Sequence, residues 1–207
     1  MNEVFTIGYS GFLFEDFIRV LKYYHINSVI DVRSQPYSKI HPEYNKEQLS
    51  SALRGVRIYY KNYRKEFGAR QLDPFLYPNG YLDFTLFSKT TPFQEGMDRI
   101  INAMPLGYRF VFLCSEKDPI TCHRCIMVAR SFYQRNIEVK NILSDCTFET
   151  QEQIENRLVD LYFQDRDQLS LFEPQLPWDE MVKQSYKKQN EKIGYRLRDD
   201  QEDLGDE

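Results

Sequence analysis

The chain has 207 residues, 42% of them hydrophobic and 28% charged, with a formal net charge of -4 at pH 7. That length suits one domain with a sizeable core, and the mild acidity excludes a globally basic nucleic-acid coat while leaving room for a local basic patch. No run approaches the length of a membrane span, the start MNEVFTIGYS lacks a signal peptide's basic lead and apolar core, and the four cysteines sit in core-like contexts, so a cytoplasmic protein with free thiols and no membrane partner is expected.

In chain order, Val4 to Ile7 reads as a short apolar strand, and Gly8-Tyr9-Ser10-Gly11 ends it with glycines that permit a sharp turn. Phe14, Phe17, Ile18, Leu21 and Tyr24 then recur at helical spacing. Ser28 to Val32 is the next strand, and Asp31, Arg33 and Ser34 stand at its end, where a parallel βαβ unit places a loop. Lys46 to Leu53 predicts a short helix and Val56 to Tyr60 a strand. The segment from Arg54 to Arg70 gathers Arg57, Lys61, Arg64 and Lys65 among Tyr59, Tyr60, Tyr63 and Phe67, the composition of a single-strand nucleic-acid surface. Half-buried tyrosines with a solvated cationic face would give the same pattern.

Tyr81 to Phe87 predicts another short helix, and Thr91-Pro92 opens one whose Phe93, Met97, Ile100 and Ile101 face inward. After a Pro105 to Gly107 turn, Tyr108 to Cys114 is a nearly unbroken apolar run, as in a strand buried on both faces. Ser115, Glu116, Lys117 and Asp118 follow it abruptly, and Asp118-Pro119 fits an N-cap with Pro at the first helical position. The helix so started would turn Cys122, Cys125, Ile126, Ala129 and Phe132 toward the sheet and His123, Arg124 and Arg130 aside or away. Ile137 to Leu143 reads as a further strand and Thr150 to Tyr162 as a helix burying Ile154, Leu158 and Leu161. The expected architecture is α/β: three layers, a mostly parallel sheet with helices on both faces over residues 1–163, and an extended tail over 164–207.

Ligands of such sheets bind beyond the carboxyl ends of the strands. The catalytic candidates are therefore Asp31, Glu116, Asp118 and His123, with Tyr9, Ser10, Arg33, Ser34, Lys117 and Arg124 to hold a substrate with donor and acceptor groups, such as a nucleotide or nucleobase. A salt-bridge network tying the loops together is the other reading of the same charges. Cys114 invites comparison with thiol phosphatases and sulfurtransferases, but Glu116 and Asp118 would repel an anion from that loop, so a core role is expected. Metal binding is not expected either, since adjacent Cys122 and His123 on one helix would project about 100° apart. No cofactor is inferred.

The segments TIGYSG, IDVRSQPYS and LCSEKDPITCHR together resemble the domain-of-unknown-function 488 family, whose pattern runs TIGxS, DVRxxP and CxEKDPxxCHR. The resemblance spans Val4 to about Leu143 and implies a compact α/β domain with these segments at its site; this chain has Gly68-Ala69 where members often carry Gly-Gly. The DVR strand is also similar to that of rhodanese domains, without a matching cysteine loop. Separately, Gln168, Leu169, Ser170, Leu171 and Phe172 resemble the QL(S/D)LF peptide by which bacterial replication and repair proteins dock on the sliding clamp. Such a pentapeptide arises by chance in a chain this long with a probability of about one in a thousand. The resulting expectation is a protein of DNA metabolism acting on nucleotides or nucleic acid and recruited by its tail. A non-catalytic adaptor and a sulfur-transfer or small-molecule enzyme are the alternatives.

Overall fold

The computed structural model describes residues 3–164 and 176–197. In chain order the main elements are β1 (Glu3–Gly8), α1 (Phe14–Tyr23), β2 (Ser28–Asp31), α2 (Lys46–Gly55), β3 (Tyr59–Asn62), α3 (Arg64–Phe67), α4 (Phe84–Ser88) and α5 (Thr91–Ala103). There follow β4 (Phe110–Cys114), a π-helical turn (Arg124–Ala129) running into α6 (Arg130–Tyr133), β5 (Glu138–Ile142), β6 (Phe148–Thr150), α7 (Gln151–Tyr162) and α8 (Trp178–Ile193). The six strands lie in the order β3-β2-β4-β1-β5-β6, all parallel except the β5–β6 pair.

Alternation along the strands builds the layers. Phe110, Phe112 and Cys114 of β4 face one core with Phe67, Phe93 and Phe132, while Val111 and Leu113 face another with Phe17, Leu21, Leu49 and Leu53 of α1 and α2. A sheet buried on both faces between two helical layers is the α/β sandwich expected from the sequence. Because β2, β4 and β1 are neighbours, the loops leaving their carboxyl ends emerge side by side. Among the described residues, no helix is long and apolar enough to cross a membrane.

Local chemistry sets several ends. Thr150 and Gln153 form a reciprocal capping box at the start of α7, and Asp83 caps α4 by accepting from the backbone N–H groups of Thr85 and Leu86. Since Asp83 takes the cap position, α4 begins at Phe84 rather than near Tyr81. Arg57 has φ 61, so the chain turns after α2 and the strand expected from Val56 starts only at Tyr59. Leu161, expected in the core, is 40% exposed, because the inward stripe of α7 runs through Ile154, Leu158 and Val159.

The largest departure is α8. Residues 178–193, expected in an extended tail, form a helix packed on α7 and on the turn that opens α6. Its contacts are mostly polar. Gln151 donates to the Tyr186 hydroxyl at 2.8 Å, Tyr162 donates to Gln189 at 2.6 Å, and Asn190 both accepts from the Phe84 N–H and donates to the Leu82 carbonyl. Tyr186, Gln189 and Asn190 thus find partners, while the buried Ser185 hydroxyl has none among the described residues. The peptide at 168–172 lies outside the described residues.

Candidate functional site

Where β1, β4 and β2 end, three loops are tied together by their backbones. The Ser10 N–H donates to the Ser115 carbonyl at 3.1 Å, joining the loops after β1 and β4. Gly8 closes β1 against the same loop: a Cβ there would lie 1.8 Å from the Glu116 carbonyl oxygen, so only glycine permits this approach. Arg124 completes the tie by donating through Nη1 to the Glu116 carbonyl at 2.6 Å and through Nη2 to that of Lys117. Its guanidinium is fully buried, as is most of the His123 ring, although the helical periodicity had placed both aside or away from the sheet. The extended Cys122 and the π-helical turn account for the difference: they turn Arg124 onto the Glu116 and Lys117 carbonyls and His123 onto the Val32 carbonyl, and Cys122 to Ala129 are all buried.

His123 meets two thiols. Its Nδ1 lies 3.9 Å from both Cys114 Sγ and Cys122 Sγ, and its Nε2 is 3.0 Å from the Val32 carbonyl at the end of β2. The ligand atoms of Cys114, Cys122 and His123 all fall within 4.8 Å of one another. The expected divergence of Cys122 and His123 is not found. Cys122 is extended (φ -129, ψ 136) and the helix begins only after it, so the 100° step between helical neighbours does not apply. The Asp118-Pro119 start belongs instead to a single 3-10 turn, Pro119–Thr121, that brings the chain back over β4.

Glu116 is the solvent-facing member of the group: the residue is exposed, yet its carboxylate points inward and its Oε2 lies 2.9 Å from Cys122 Sγ. Burial would raise its pKa, but His123 and hydrogen bonds from the thiols of Cys114 and Cys122 outweigh that and hold it down at about 2. Burial likewise opposes ionisation of Cys122, whereas the Cys114 thiol, Arg124 and His123 favour the thiolate and bring it to about 6. Cys114 moves the other way, raised by burial and by the proton it shares with Cys122. The His123 pKa is also raised: burial would lower it, but the Cys122 sulfur and Glu116 favour the imidazolium. Cys125 stands apart beside Gln151, with burial pushing its thiol up to about 12.

Asp31 lies next to this cluster but serves a different contact. Fully buried, it accepts from the Arg33 backbone N–H, from Arg33 Nε at 2.9 Å and Nη2 at 2.6 Å, and from the Tyr60 hydroxyl at 2.7 Å. Arg33 stacks over Tyr9, and its buried Nη1 has no hydrogen-bond partner among the described residues. Ser34 accepts from the Arg70 N–H at 2.8 Å. Asp118 caps the turn before Cys122 and pairs with Arg157 of α7 at 2.9 Å. Ser10 and Lys117 are exposed at the rim.

Arg57, Lys61, Arg64 and Lys65 are all exposed. Tyr63 and Phe67 are buried and Tyr60 is turned onto Asp31, so Tyr59 is the one ring of that set left largely exposed, at 52%. Arg64 and Lys65 line a shallow groove of about 520 Å³ with Arg70, Gln71 and Leu72, beside Ser34 at the end of β2. A separate cleft of about 640 Å³ lies between α4, α5, α6 and α8, and none of the strand-end candidates lines it. The sequence pattern did not reveal Tyr60, Arg157 or the close approach of Cys114 and Cys122. A strand ending on Cys114, with Cys122-His123 reached again after one tight turn, was the signal for the last.

No curated protein and no solved structure matches the chain. The family described as "Domain of unknown function DUF488" matches residues 14–130, which contain the segments IDVRSQPYS and LCSEKDPITCHR and leave TIGYSG just outside. With more than half of its length matched, and those two segments meeting at the strand ends, the chain belongs to the DUF488 family.

Proposed function

We propose that the chain is an enzyme of nucleotide or nucleic-acid metabolism, with its reaction centre where β1, β2 and β4 end and Glu116 as the group that carries a proton. The observation behind this reading is the placement of Glu116: an exposed loop residue whose carboxylate turns inward to the buried Cys122 thiol and the charge of His123, while its backbone carbonyl takes the Arg124 guanidinium. Core packing does not require a carboxylate at such a position, whereas proton transfer does. Asp31 acts as a positioning residue that orients Arg33, whose buried Nη1 lacks a partner among the described residues, and Lys117 offers a cation at the rim. Asp118 holds the turn through Arg157. The adjoining groove with Arg64, Lys65 and Arg70 supports a substrate carrying phosphates. The pentapeptide at 168–172 supports recruitment to a sliding clamp.

Purified protein would be incubated with nucleosides, nucleotides and short single-stranded oligonucleotides, and turnover followed by mass change. Wild-type turnover should fall by about 10²-fold or more in Glu116→Gln at an unchanged melting temperature. Equal turnover by the variant removes Glu116 from the reaction. Binding of an oligonucleotide without turnover of any substrate favours the adaptor.

A further inference from the structure

Cys114 ends β4, Cys122 is extended just before the π-helical turn and His123 is the first residue of that turn's helical backbone, so three potential ligands reach one point from two short stretches of chain. We propose that Cys114, Cys122 and His123 hold one zinc-class divalent ion, with the fourth position facing Glu116.

Distances support the assignment first. Both sulfurs lie 3.9 Å from His123 Nδ1, and all three ligand atoms fall within 4.8 Å of one another. A tetrahedral zinc ion with its usual bond lengths separates sulfur from sulfur by ~3.8 Å and sulfur from nitrogen by ~3.6 Å. Seating the ion contracts each sulfur–nitrogen distance by ~0.3 Å and the sulfur–sulfur distance by at most ~1 Å.

The imidazole is the second and independent argument. A carbonyl can only accept, so the 3.0 Å contact of Nε2 with the Val32 oxygen places a proton on Nε2, and the neutral ring then presents the Nδ1 lone pair to the two sulfurs. A metal-bound histidine is held in this way, with its second ring nitrogen donating to a backbone carbonyl. Charge agrees. Two thiolates neutralise a divalent ion, and the buried Arg124 guanidinium, held by the Glu116 and Lys117 carbonyls, lies within the field of the Glu116 carboxylate. Cys125 is not a ligand, because its sulfur faces Gln151.

The fourth position lies on the Glu116 side. Cys114 and Cys122 are at most 2% exposed, while Glu116 is open to solvent and its carboxylate is 2.9 Å from Cys122 Sγ. One histidine and two cysteines with a non-ligating glutamate is a donor set that suits hydrolysis of a nucleobase amine. In that step a metal-bound water gives a proton to Glu116 and its oxygen bonds to the ring carbon. The carbon's bond to the exocyclic nitrogen then breaks, and Glu116 passes its proton to the departing ammonia. This step rests on the proton-carrying role proposed for Glu116; the metal site does not.

The test uses the full chain, purified without chelator and analysed for metal, then titrated with zinc against a chromophoric chelator. One zinc per chain is expected, with affinity at least about 10²-fold lower in Cys122→Ser and His123→Ala and retained in Glu116→Gln. Cobalt in place of zinc should give the visible bands of a tetrahedral thiolate site. Should the ligand variants fail to fold, a mercurial titration of the wild-type protein should release the ion as two of its thiols react. The site is refuted by a wild type that neither contains nor takes up zinc, by equal affinity in Cys122→Ser, or by ion release without thiol reaction. Loss of zinc in Glu116→Gln refutes the open fourth position. Zinc binding beside a fully active Glu116→Gln overturns the proton-carrying role alone, and an inactive Glu116→Gln in a wild type that never binds zinc overturns the metal alone.

Discussion

Replacing Gly8 by Ala tests whether the site depends on the close contact between β1 and the Glu116 loop. The backbone at Gly8 has φ -107, which any residue adopts, so the substitution acts through volume alone. The new methyl would lie 1.8 Å from the Glu116 carbonyl oxygen, 2.8 Å from its carbon and 3.0 Å from Arg124 Nη2. Normal contact requires the loop to retreat by more than about 1 Å. That movement breaks the 2.6 Å bond from Arg124 and strains the Ser10 to Ser115 bond, leaving buried guanidinium donors without an acceptor. Overpacking costs about 1–3 kcal/mol, and a stranded buried donor costs about as much again. The expected loss is therefore roughly 2–6 kcal/mol, which lowers the melting temperature by about 4–24 °C in a chain of this size. Gly55→Ala at the end of α2 is the control, because nothing lies within 4 Å of its new methyl; it should be neutral or stabilise by about 0.4–1 kcal/mol. Urea and thermal melts by circular dichroism measure both. A Gly8→Ala protein within about 0.5 kcal/mol of wild type would mean that the contact does not hold the loop.

Asp31→Asn leaves the buried Arg33 charge uncompensated and should cost about 3–5 kcal/mol in a urea melt; an unchanged midpoint would show that Asp31 is not holding Arg33. Burial raises the pKa of Glu155 above its ordinary 4.5, only partly offset by Arg130 and Tyr186. Its protonated form therefore favours the fold below that value, and the contribution is lost as pH rises through the raised pKa. Glu155→Gln should accordingly gain melting temperature relative to wild type as pH increases from about 4 to about 8, and a pH-independent difference would contradict this. Tyr186→Ala, at 1% exposure between α8 and α7, should cost about 3–5 kcal/mol within one cooperative transition; a separable tail would show no change. Leu171→Ala with Phe172→Ala should abolish a micromolar clamp interaction, about -8 kcal/mol, at an unchanged melting temperature. Equal titrations by variant and wild type would remove the clamp.

The strands and inward helices were legible because their apolar spacing is regular: β4 as an unbroken run, and Phe14, Phe17 and Leu21 of α1 at helical intervals. The meeting of the Asp31, Glu116 and Tyr9 segments was legible too, since parallel strands put their ends on one side. Helix α8 was not, because Gln189, Asn190, Ser185 and Tyr186 are its buried residues and its mean hydropathy is low; it docks through hydrogen bonds that no apolar period reveals. The cluster of Cys114, Cys122 and His123 was hidden for a different reason. Whether two adjacent residues converge depends on the backbone at Cys122, and an extended residue ahead of a helix start looks like a helical one in sequence.

Docking of α8 also changes how far the clamp-like peptide can act. Were the chain free beyond α7, a partner bound there could lie anywhere along a long, open leash. Both α7 and α8 are anchored to the body, so the sequence between Phe163 and Trp178 is tethered at both ends. Its residues span at most ~3.5 Å each, so its midpoint can stand no more than ~25 Å from the anchors. A clamp engaged there would be held against the α7–α8 side of the protein, at high local concentration and in a restricted set of orientations. Inserting flexible residues between Phe163 and Trp178 would therefore relax geometry before it weakened attachment.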